Sequence, residues 1–466
     1  MPTLVMKFGG TSIGSPEAMA QSVQIVQKAA AAWPRLVVVT SALSGITDLL
    51  LTTAGQAAAG KSGSIHEAAV QMAERHEQML AALVPQVALR DPALKEIKQL
   101  ADHFDSLCQA IAVLGEASPR ALDAVGSLGE RMAVRVLAAA LQAAGSHAQA
   151  VEASLLIITD DTFQSAHPNF EATVSATRSN LEPLFDSGQI PVVTGFIGAT
   201  PGGIITTLGR GGSDYTAAIL GAALAADEVW IWTDVNGVMT ADPRLVPEAR
   251  TIDELSYREV AELAYFGAKV LHPLTIRPVI EAGIGLKVLN TFNPDHPGTR
   301  IVADRSMRNG QVIQAVTMIK DLRLVTVEGR GMLGVPGVAA RTFSAIASTH
   351  TSVPLISQAS SEQSICFAVP SQAAPAVVAA IQAEFEREIK GRDIDRVWAS
   401  QEVVIISVVG AGMIHTPGVA GRVFSTLGFH QFNVIAIAQG SSEVSISFIV
   451  DSKDGTQAVR ALHSLI

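Results

Sequence analysis

Apolar residues alternate along this chain between short continuous runs and helically spaced stripes. Residues 3–8 form an apolar run that predicts a buried strand, and Gly9-Gly10-Thr11-Ser12 follows it. Residues 16–32 have helical spacing behind Ser15-Pro16-Glu17, a cap with proline at the first helical position. Leu36-Val37-Val38-Val39 predicts a second buried strand. Strand, glycine loop, helix and strand make a parallel α/β unit. Residues 46–145 are rich in Ala and Leu with few strand signals, which predicts a mostly helical insertion. Strands return at 149–158, 190–194, 227–232 and 285–290, with helices between. The expected fold class is α/β: an open, mostly parallel sheet covered by helices.

The pattern changes near residue 300. Asn293-Pro294-Asp295-His296-Pro297-Gly298 is turn-rich, and a domain boundary is expected after it, giving a first domain of 1–303. An internal repeat follows. Gly331-Met332, Pro336-Gly337-Val338-Ala339, Arg341 and Phe343-Ser344 recur as Gly412-Met413, Pro417-Gly418-Val419-Ala420, Arg422 and Phe424-Ser425. Gln358-Ala359-Ser360-Ser361-Glu362 recurs as Gln439-Gly440-Ser441-Ser442-Glu443 at the same offset. An ungapped match of this length is a duplication, with copies expected at 304–400 and 401–466. Each copy reads strand, turn, helix, strand, strand, helix: an antiparallel sheet with helices on one face. The second copy ends at Ile466 without its closing strand, and Val312–Thr317 is the run expected to supply it if the copies interleave.

Composition narrows the function classes. Of the 466 residues, 48% are hydrophobic and 16% charged, enough apolar material for large cores. The net charge of -10 is spread without a basic stripe, which disfavours nucleic acid. Cys108 and Cys366 offer neither a disulfide framework nor zinc-ligand spacing and fit a reducing cytoplasm. No apolar run reaches membrane-spanning length, and the chain enters its first strand without a basic leader.

Four segments carry candidate chemistry. Lys7-Phe8-Gly9-Gly10-Thr11-Ser12 joins a strand to a helix; its glycines admit phosphate oxygens to backbone N–H groups, and Lys7 can neutralise a phosphoryl group in flight. A plain tight turn is the bland alternative. The segment Thr206–Thr216 is more specific. Arg210 has the fork that suits a carboxylate, and Ser213-Asp214 opens an apolar helix, where Asp214 also suits a cap. Thr233-Asp234-Val235-Asn236-Gly237, with Asp242-Pro243-Arg244 beyond it, is a strand-end loop of the kind that binds ligands, or an ordinary turn. Phe266–Pro273 offers Lys269. A fifth segment, Gly55–Ser62, spells a P-loop but follows helical spacing instead of a buried strand, and is rejected.

Taken in order along the whole chain, the Lys7, Arg210 and Lys269 segments resemble the aspartate kinases, members of the amino acid kinase fold with C-terminal ACT repeats. The resemblance implies ATP and Mg as cofactors, L-aspartate as substrate and 4-phospho-L-aspartate as product, the first step of aspartate-family amino acid biosynthesis. It gives Lys7 the transferring phosphoryl group, and gives Asp214 the tasks of holding Lys7 and positioning the substrate amine. Arg210 would clamp the α-carboxylate and Glu130 would meet the ammonium. Ser41, Thr47, Phe196 and Ser213 would contact aspartate. Gly9, Gly10, Thr233, Asp234, Met239, Arg244 and Lys269 would serve the nucleotide. The family often has tyrosine where Met239 stands, and methionine packs there without a donor. No separate metal ligands are implied. In the repeats, Gln358, Ser361, Glu362, Gln439, Ser442 and Glu443 are the expected regulatory residues. Their Gln-x-Ser-Ser-Glu signature is similar to that of the kinase half of aspartate kinase–homoserine dehydrogenases. No dinucleotide-binding glycine motif follows the repeats, so a monofunctional or a separated kinase is expected.

Other readings remain: a kinase of the same fold acting on glutamate or acetylglutamate, and a non-catalytic amino acid sensor. Threonine is the expected effector ahead of lysine. The glutamine amides suit a hydroxyl side chain, and Pro354 stands where lysine-sensitive relatives carry an acid. Unpaired edges of the repeats point to a homodimer or higher homo-oligomer.

Overall fold

In the computed structural model the described residues are 1–265, 271, 273–303, 312–332, 335–358, 363–440 and 442–466, the side chains of 265 and 273–276 excepted. They fall into two compact units. The first holds Met1–Val238, Thr251–Val260 and Lys269–Asp304; the second holds Met239–Arg250, Ala261–Ala268 and Arg305–Ile466.

The first unit begins with β1 (Thr3–Phe8), α1 (Pro16–Ala30) and β2 (Arg35–Thr40). Ser15 caps α1 through its side chain, which accepts from Ala18 N, and Pro16 follows at the first helical position. The helical insertion is five helices: α2 (Ile46–Ala58), α3 (Ile65–Leu83), α4 (Val87–Leu114), α5 (Pro119–Gly126) and α6 (Leu128–Ala143). Gly55 of the P-loop look-alike lies inside α2. Then come β3 (Ala148–Val151), α7 (Phe170–Asp186), β4 (Ile190–Thr194), the hairpin β5 (Ile197–Ala199) and β6 (Ile205–Thr207), α8 (Gly212–Ala223) and β7 (Glu228–Thr233). The strand expected over 149–158 stops at Val151. The chain turns through a 3-10 helix at Ala153–Leu155, and only Ile158 bridges on, to Ala199. The unit's remaining elements are β8 (Glu254–Ser256), α9 (Tyr257–Tyr265), which continues out of it, α10 (Pro273–Ala282), β9 (Gly285–Asn290) and β10 (Thr299–Val302).

Apart from the β5–β6 hairpin, these strands form one sheet, in the order β3-β4-β2-β1-β7-β9-β10-β8, and its neighbours from β3 to β9 are parallel. Every residue of β1 is buried, because helices cover both faces. Leu4, Met6 and Phe8 share one core with Leu36, Leu50, Met72, Phe104 and Leu137. The strand order runs outward from β1 in both directions. The carboxyl ends of β1, β2 and β7 therefore flank the point where the chain reverses its winding, the usual place for a ligand.

The second unit contains β11 (Ala315–Glu328), α11 (Val338–Ala347), β12 (Leu355–Gln358), β13 (Ser364–Pro370), α12 (Ala374–Glu384), α13 (Glu386–Gly391) and β14 (Arg396–Val409). After these come α14 (Val419–Phe429), β15 (Ala436–Ala438), β16 (Ser445–Asp451) and α15 (Gly455–His463). The sheet order is β12-β13-β11-β14-β16-β15, and every pair is antiparallel. Two long strands are shared between the repeats. Ala315–Ile319 of β11 pairs with Ile405–Val409 in the second copy, and Arg396–Ala399 of β14 pairs with Val325–Glu328 in the first. The interleaved closing strand expected near Val312–Thr317 is thus present, and position 400 falls inside β14. The two end strands also meet, with Ser357 Oγ donating to Ile437 O at 3.2 Å. The sheet wraps around Leu322, Leu324, Leu355, Val403, Ile405 and Ile449. Segment 239–250 joins the core of the second repeat through Ala241 and Val246. No described helix is long and apolar enough to cross a membrane.

Candidate active site

Lys7 is the next-to-last residue of β1 and is 8% exposed. Its Nζ lies 2.5 Å from Oδ1 of Asp214. Asp214 stands in the first turn of α8, where the helix N-terminus favours a negative charge. Among the described residues Asp214 Oδ1 has no hydrogen-bond partner apart from this ammonium. The Gly9 N–H donates to Trp232 O at 3.2 Å, which folds the loop over the end of β7. A Cβ on Gly9 would sit 3.5 Å from Lys7 Nζ, so glycine keeps the space beside the ammonium open, as a phosphate requires. Two hydroxyls pin this loop, that of Ser12, which closes the motif, and that of Thr291, which the sequence left unmarked. Ser12 Oγ donates to Trp232 O and accepts from Thr291 Oγ1 at 2.7 Å, and Thr291 N donates to Thr233 O. Nothing local marks Thr291, because the two meet only when β1, β7 and β9 are side by side.

Glu130 lies in the first turn of α6 and is 4% exposed, with no hydrogen-bond partner at Oε2 among the described residues. Burial pushes its carboxyl up to about 8, against backbone donors at Ala42 and Glu130 and the attraction of Lys7. A partnerless buried carboxylate oxygen beside a lysine is a ready acceptor for a ligand cation. Gly129 explains the placement. A Cβ there would come within 2.8 Å of Ala42 Cβ, so only glycine lets α6 press against the loop after β2. That loop carries half-buried Ser41, whose N–H donates to Phe8 O at 3.2 Å, and runs into α2, with Thr47 half-buried in its first turn.

Phe196, just after β4, has φ 69 and is locked on both sides. Its N–H donates to Thr216 Oγ1, and its carbonyl accepts from Leu208 N. Ser213, 9% exposed, packs so closely on Gly195 that a Cβ there would overlap it. Arg210 is exposed, and its guanidinium makes no ion pair among the described residues. The first unit therefore brings Lys7, Ser41, Thr47, Glu130, Phe196, Ser213 and Asp214 to one end of its sheet, with Arg210 on the adjoining loop.

On the expected nucleotide side, Thr233 ends β7 and donates through Oγ1 to Asp234 Oδ1 at 3.1 Å. Met239 and Arg244 belong to the second unit. Arg244 turns onto Asp242, with Nη2 2.6 Å from Oδ2, and holds that carboxyl below its ordinary value. Segment 239–250 is fixed to α15: Thr240 Oγ1 lies 2.9 Å from His463 Nε2, and Arg460 Nε donates to Leu245 O. Lys269, Ser361 and Glu362 lie outside the described residues. Gln358 lines a cavity of about 360 Å³ with Met332, Val335, Pro336, Gly337, Val338, Ala339 and Ile365. Gln439 and Ser442 are exposed, and Glu443 accepts from His415 N at 3.1 Å. Among the described residues no three His, Cys, Asp or Glu cluster as metal ligands would.

Comparison with known proteins identifies the family. Residues 2–290 match the Amino acid kinase family, and residues 325–385 and 406–465 each match an ACT domain. The chain is 36% identical over 467 residues to bifunctional aspartokinase/homoserine dehydrogenase 1 of Arabidopsis thaliana, a chloroplastic protein, covering 99% of this chain and 50% of the relative. It thus spans about half the length of the bifunctional relatives it matches. It is 30% identical to an aspartokinase of Schizosaccharomyces pombe, covering 99% of this chain and 92% of that one. A solved structure of E. coli aspartokinase III with aspartate and ADP superimposes with a TM-score of 0.82 at 32% identity, over 100% of this chain and 99% of that one. The same enzyme with lysine and aspartate gives 0.79 at 31%, over 99% of each. The chain belongs to the amino acid kinase family and, within it, to the aspartokinases, and it carries C-terminal ACT domains.

Proposed function

We propose that this chain transfers the γ-phosphoryl group of ATP to the β-carboxylate of L-aspartate, giving 4-phospho-L-aspartate, under feedback control through its ACT repeats. The observation that carries the reading is the Lys7–Asp214 pair at the end of β1 with buried Glu130 close by. In this reading Glu130 takes the substrate ammonium and Arg210 the α-carboxylate, while Ser41, Thr47, Phe196 and Ser213 shape the pocket. An ionised carboxylate is already a nucleophile, so no general base is required. Lys7 neutralises charge building on the transferring group, and Asp214 keeps Lys7 aimed. The open space beside Gly9 and the Thr233-Asp234 strand end fit a nucleotide triphosphate. Mg²⁺ would be carried by the nucleotide and would offset phosphate charge as a hard cation. ADP is bound in the E. coli relative, which supports ATP as donor.

Threonine is the effector in this reading. Gln358 lines the cavity with an amide that both donates and accepts, which suits a neutral hydroxyl side chain. The E. coli relative solved with lysine marks the competing assignment. A homodimer joined through the repeats, in a cytoplasmic setting, completes the proposal. Aspartate-dependent ATP turnover, with glutamate and acetylglutamate as parallel substrates, is the test. Turnover greatest on either alternative sinks the aspartate assignment.

A further inference from the structure

Asp123 was absent from every motif in the sequence, yet it is among the most buried carboxylates of the first unit, at 1% exposure. It sits on α5, the short helix directly before α6. Its Oδ1 accepts from Thr207 Oγ1 at 2.7 Å, its Oδ2 accepts from Thr207 N at 2.9 Å, and Gln164 N lies 3.0 Å from both. No cation among the described residues pairs with it, so N–H and O–H groups alone satisfy this buried carboxylate. Such an arrangement is costly to build and is retained where it fixes geometry.

Each partner touches the binding loops. Thr207 ends β6 and lies three residues before Arg210. Gln164 is held at φ 69, and its carbonyl would lie 3.0 Å from a Cβ on Gly209, so this turn supports the Leu208–Arg210 stretch from below. The Thr207 carbonyl closes the arrangement by accepting from Ala166 N at 2.9 Å. On the other side, Asp123 O accepts from Ser127 N at 3.0 Å, at the join between α5 and α6, and Glu130 follows in the first turn of α6.

We infer that Asp123 is a positioning residue for substrate recognition: it fixes the start of the Glu130 helix relative to the Arg210 loop. The ammonium and α-carboxylate of an α-amino acid stand on one carbon, so their acceptors must keep one separation. Asp123 maintains it without touching the ligand. This rests on the assignment of Glu130 and Arg210 to those two groups.

The test uses Asp123→Asn and Thr207→Val in the full chain. Asparagine keeps the shape but turns an N–H₂ toward donors, and valine removes the hydroxyl while keeping the branch. The KM for aspartate should rise about tenfold in each while the KM for ATP stays within about twofold, the signature of lost substrate alignment. Combining the two should add little, because both act through one cluster. Hydrogen exchange of Thr207, Gln164 and the 208–211 amides should quicken in Asp123→Asn, with protection of β1 and β2 retained. An unchanged KM for aspartate in both folded variants overturns the inference. So does a parallel rise of both KM values with a falling Tm, which marks mere loss of packing. If Asp123→Asn does not fold, Thr207→Val decides by the same criteria. A wild-type chain without aspartate-dependent turnover sinks the proposed function instead, and the exchange at 207–211 still judges Asp123: unaltered exchange refutes it.

Discussion

The Lys7 ammonium and the Asp214 carboxylate meet at 2.5 Å although they stand on different elements, the end of β1 and the first turn of α8. Each is oriented by its partner. Lys7→Ala should lower turnover by about two to three decades, the usual loss for one transition-state charge contact. Folding should persist, since Asp214 is half-buried at a helix N-terminus that accepts its charge. Steady-state rates and thermal melts check both points. At least half of wild-type turnover in folded Lys7→Ala would remove Lys7 from the chemistry.

Arg210 is exposed and makes no ion pair among the described residues. Arg210→Lys keeps the charge and loses the two-pronged fork. The KM for aspartate should rise about tenfold or more while that for ATP barely moves. The opposite pattern would place Arg210 on the nucleotide.

Glu130, pushed by burial from 4.5 to about 8, holds a proton at neutral pH before a ligand ammonium reaches it. An ammonium ligand needs the carboxylate. Aspartate binding at pH 7 should therefore release a proton, and the KM for aspartate should fall as pH rises from 6 toward 8, by up to about tenfold per pH unit. The same shift acts on stability. The folded state binds this proton more tightly than the unfolded chain, so the stabilisation is complete below 4.5 and is lost as pH climbs through about 8. Glu130→Gln should flatten both profiles and melt higher than wild type at pH 9. Calorimetry in buffers of different ionisation enthalpy reads the proton release; none at pH 7 contradicts the role.

Gln358 reaches the cavity between β12 and the start of α11, and Gln439 is its repeat counterpart. Threonine should inhibit turnover, lysine should not, and Gln358→Ala should weaken the inhibition about tenfold, the range of one buried hydrogen bond to a ligand. Inhibition by lysine alone, or threonine inhibition unaltered in Gln358→Ala and Gln439→Ala, would falsify the assignment.

Ile356, Ile435 and Ile437 leave apolar surface exposed along the end strands of the repeat sheet. A dimer joined through the repeats covers such a face. Light scattering should give twice the chain mass at micromolar concentration. A monomer with and without threonine argues for a different association.

Local chemistry settled much of this protein. Apolar runs located β1, β2, β4, β7 and β9, because a strand covered on both faces reads as continuous hydrophobicity. Ser15-Pro16 marked α1, and a constant offset revealed the repeats together with the strand they exchange. The Lys7, Arg210 and Asp214 motifs were legible because each is contiguous. Tertiary structure alone decided what depends on residues far apart in the chain. The premature end of β3, the wrapping that brings β12 to β15, and the Ser12–Thr291 link have no local signature. Met239 and Arg244 read as nucleotide-side residues beside Thr233 and Asp234, yet the apolar residues around them, Ala241 and Val246, find their core in the second unit. Asp123 was invisible for the same reason. A lone aspartate on a short helix looks like a solvated surface charge until folding buries it against Thr207 and Gln164. Sequence records which groups are present; only the closed fold decides which of them lose water, and so which charges must find a partner.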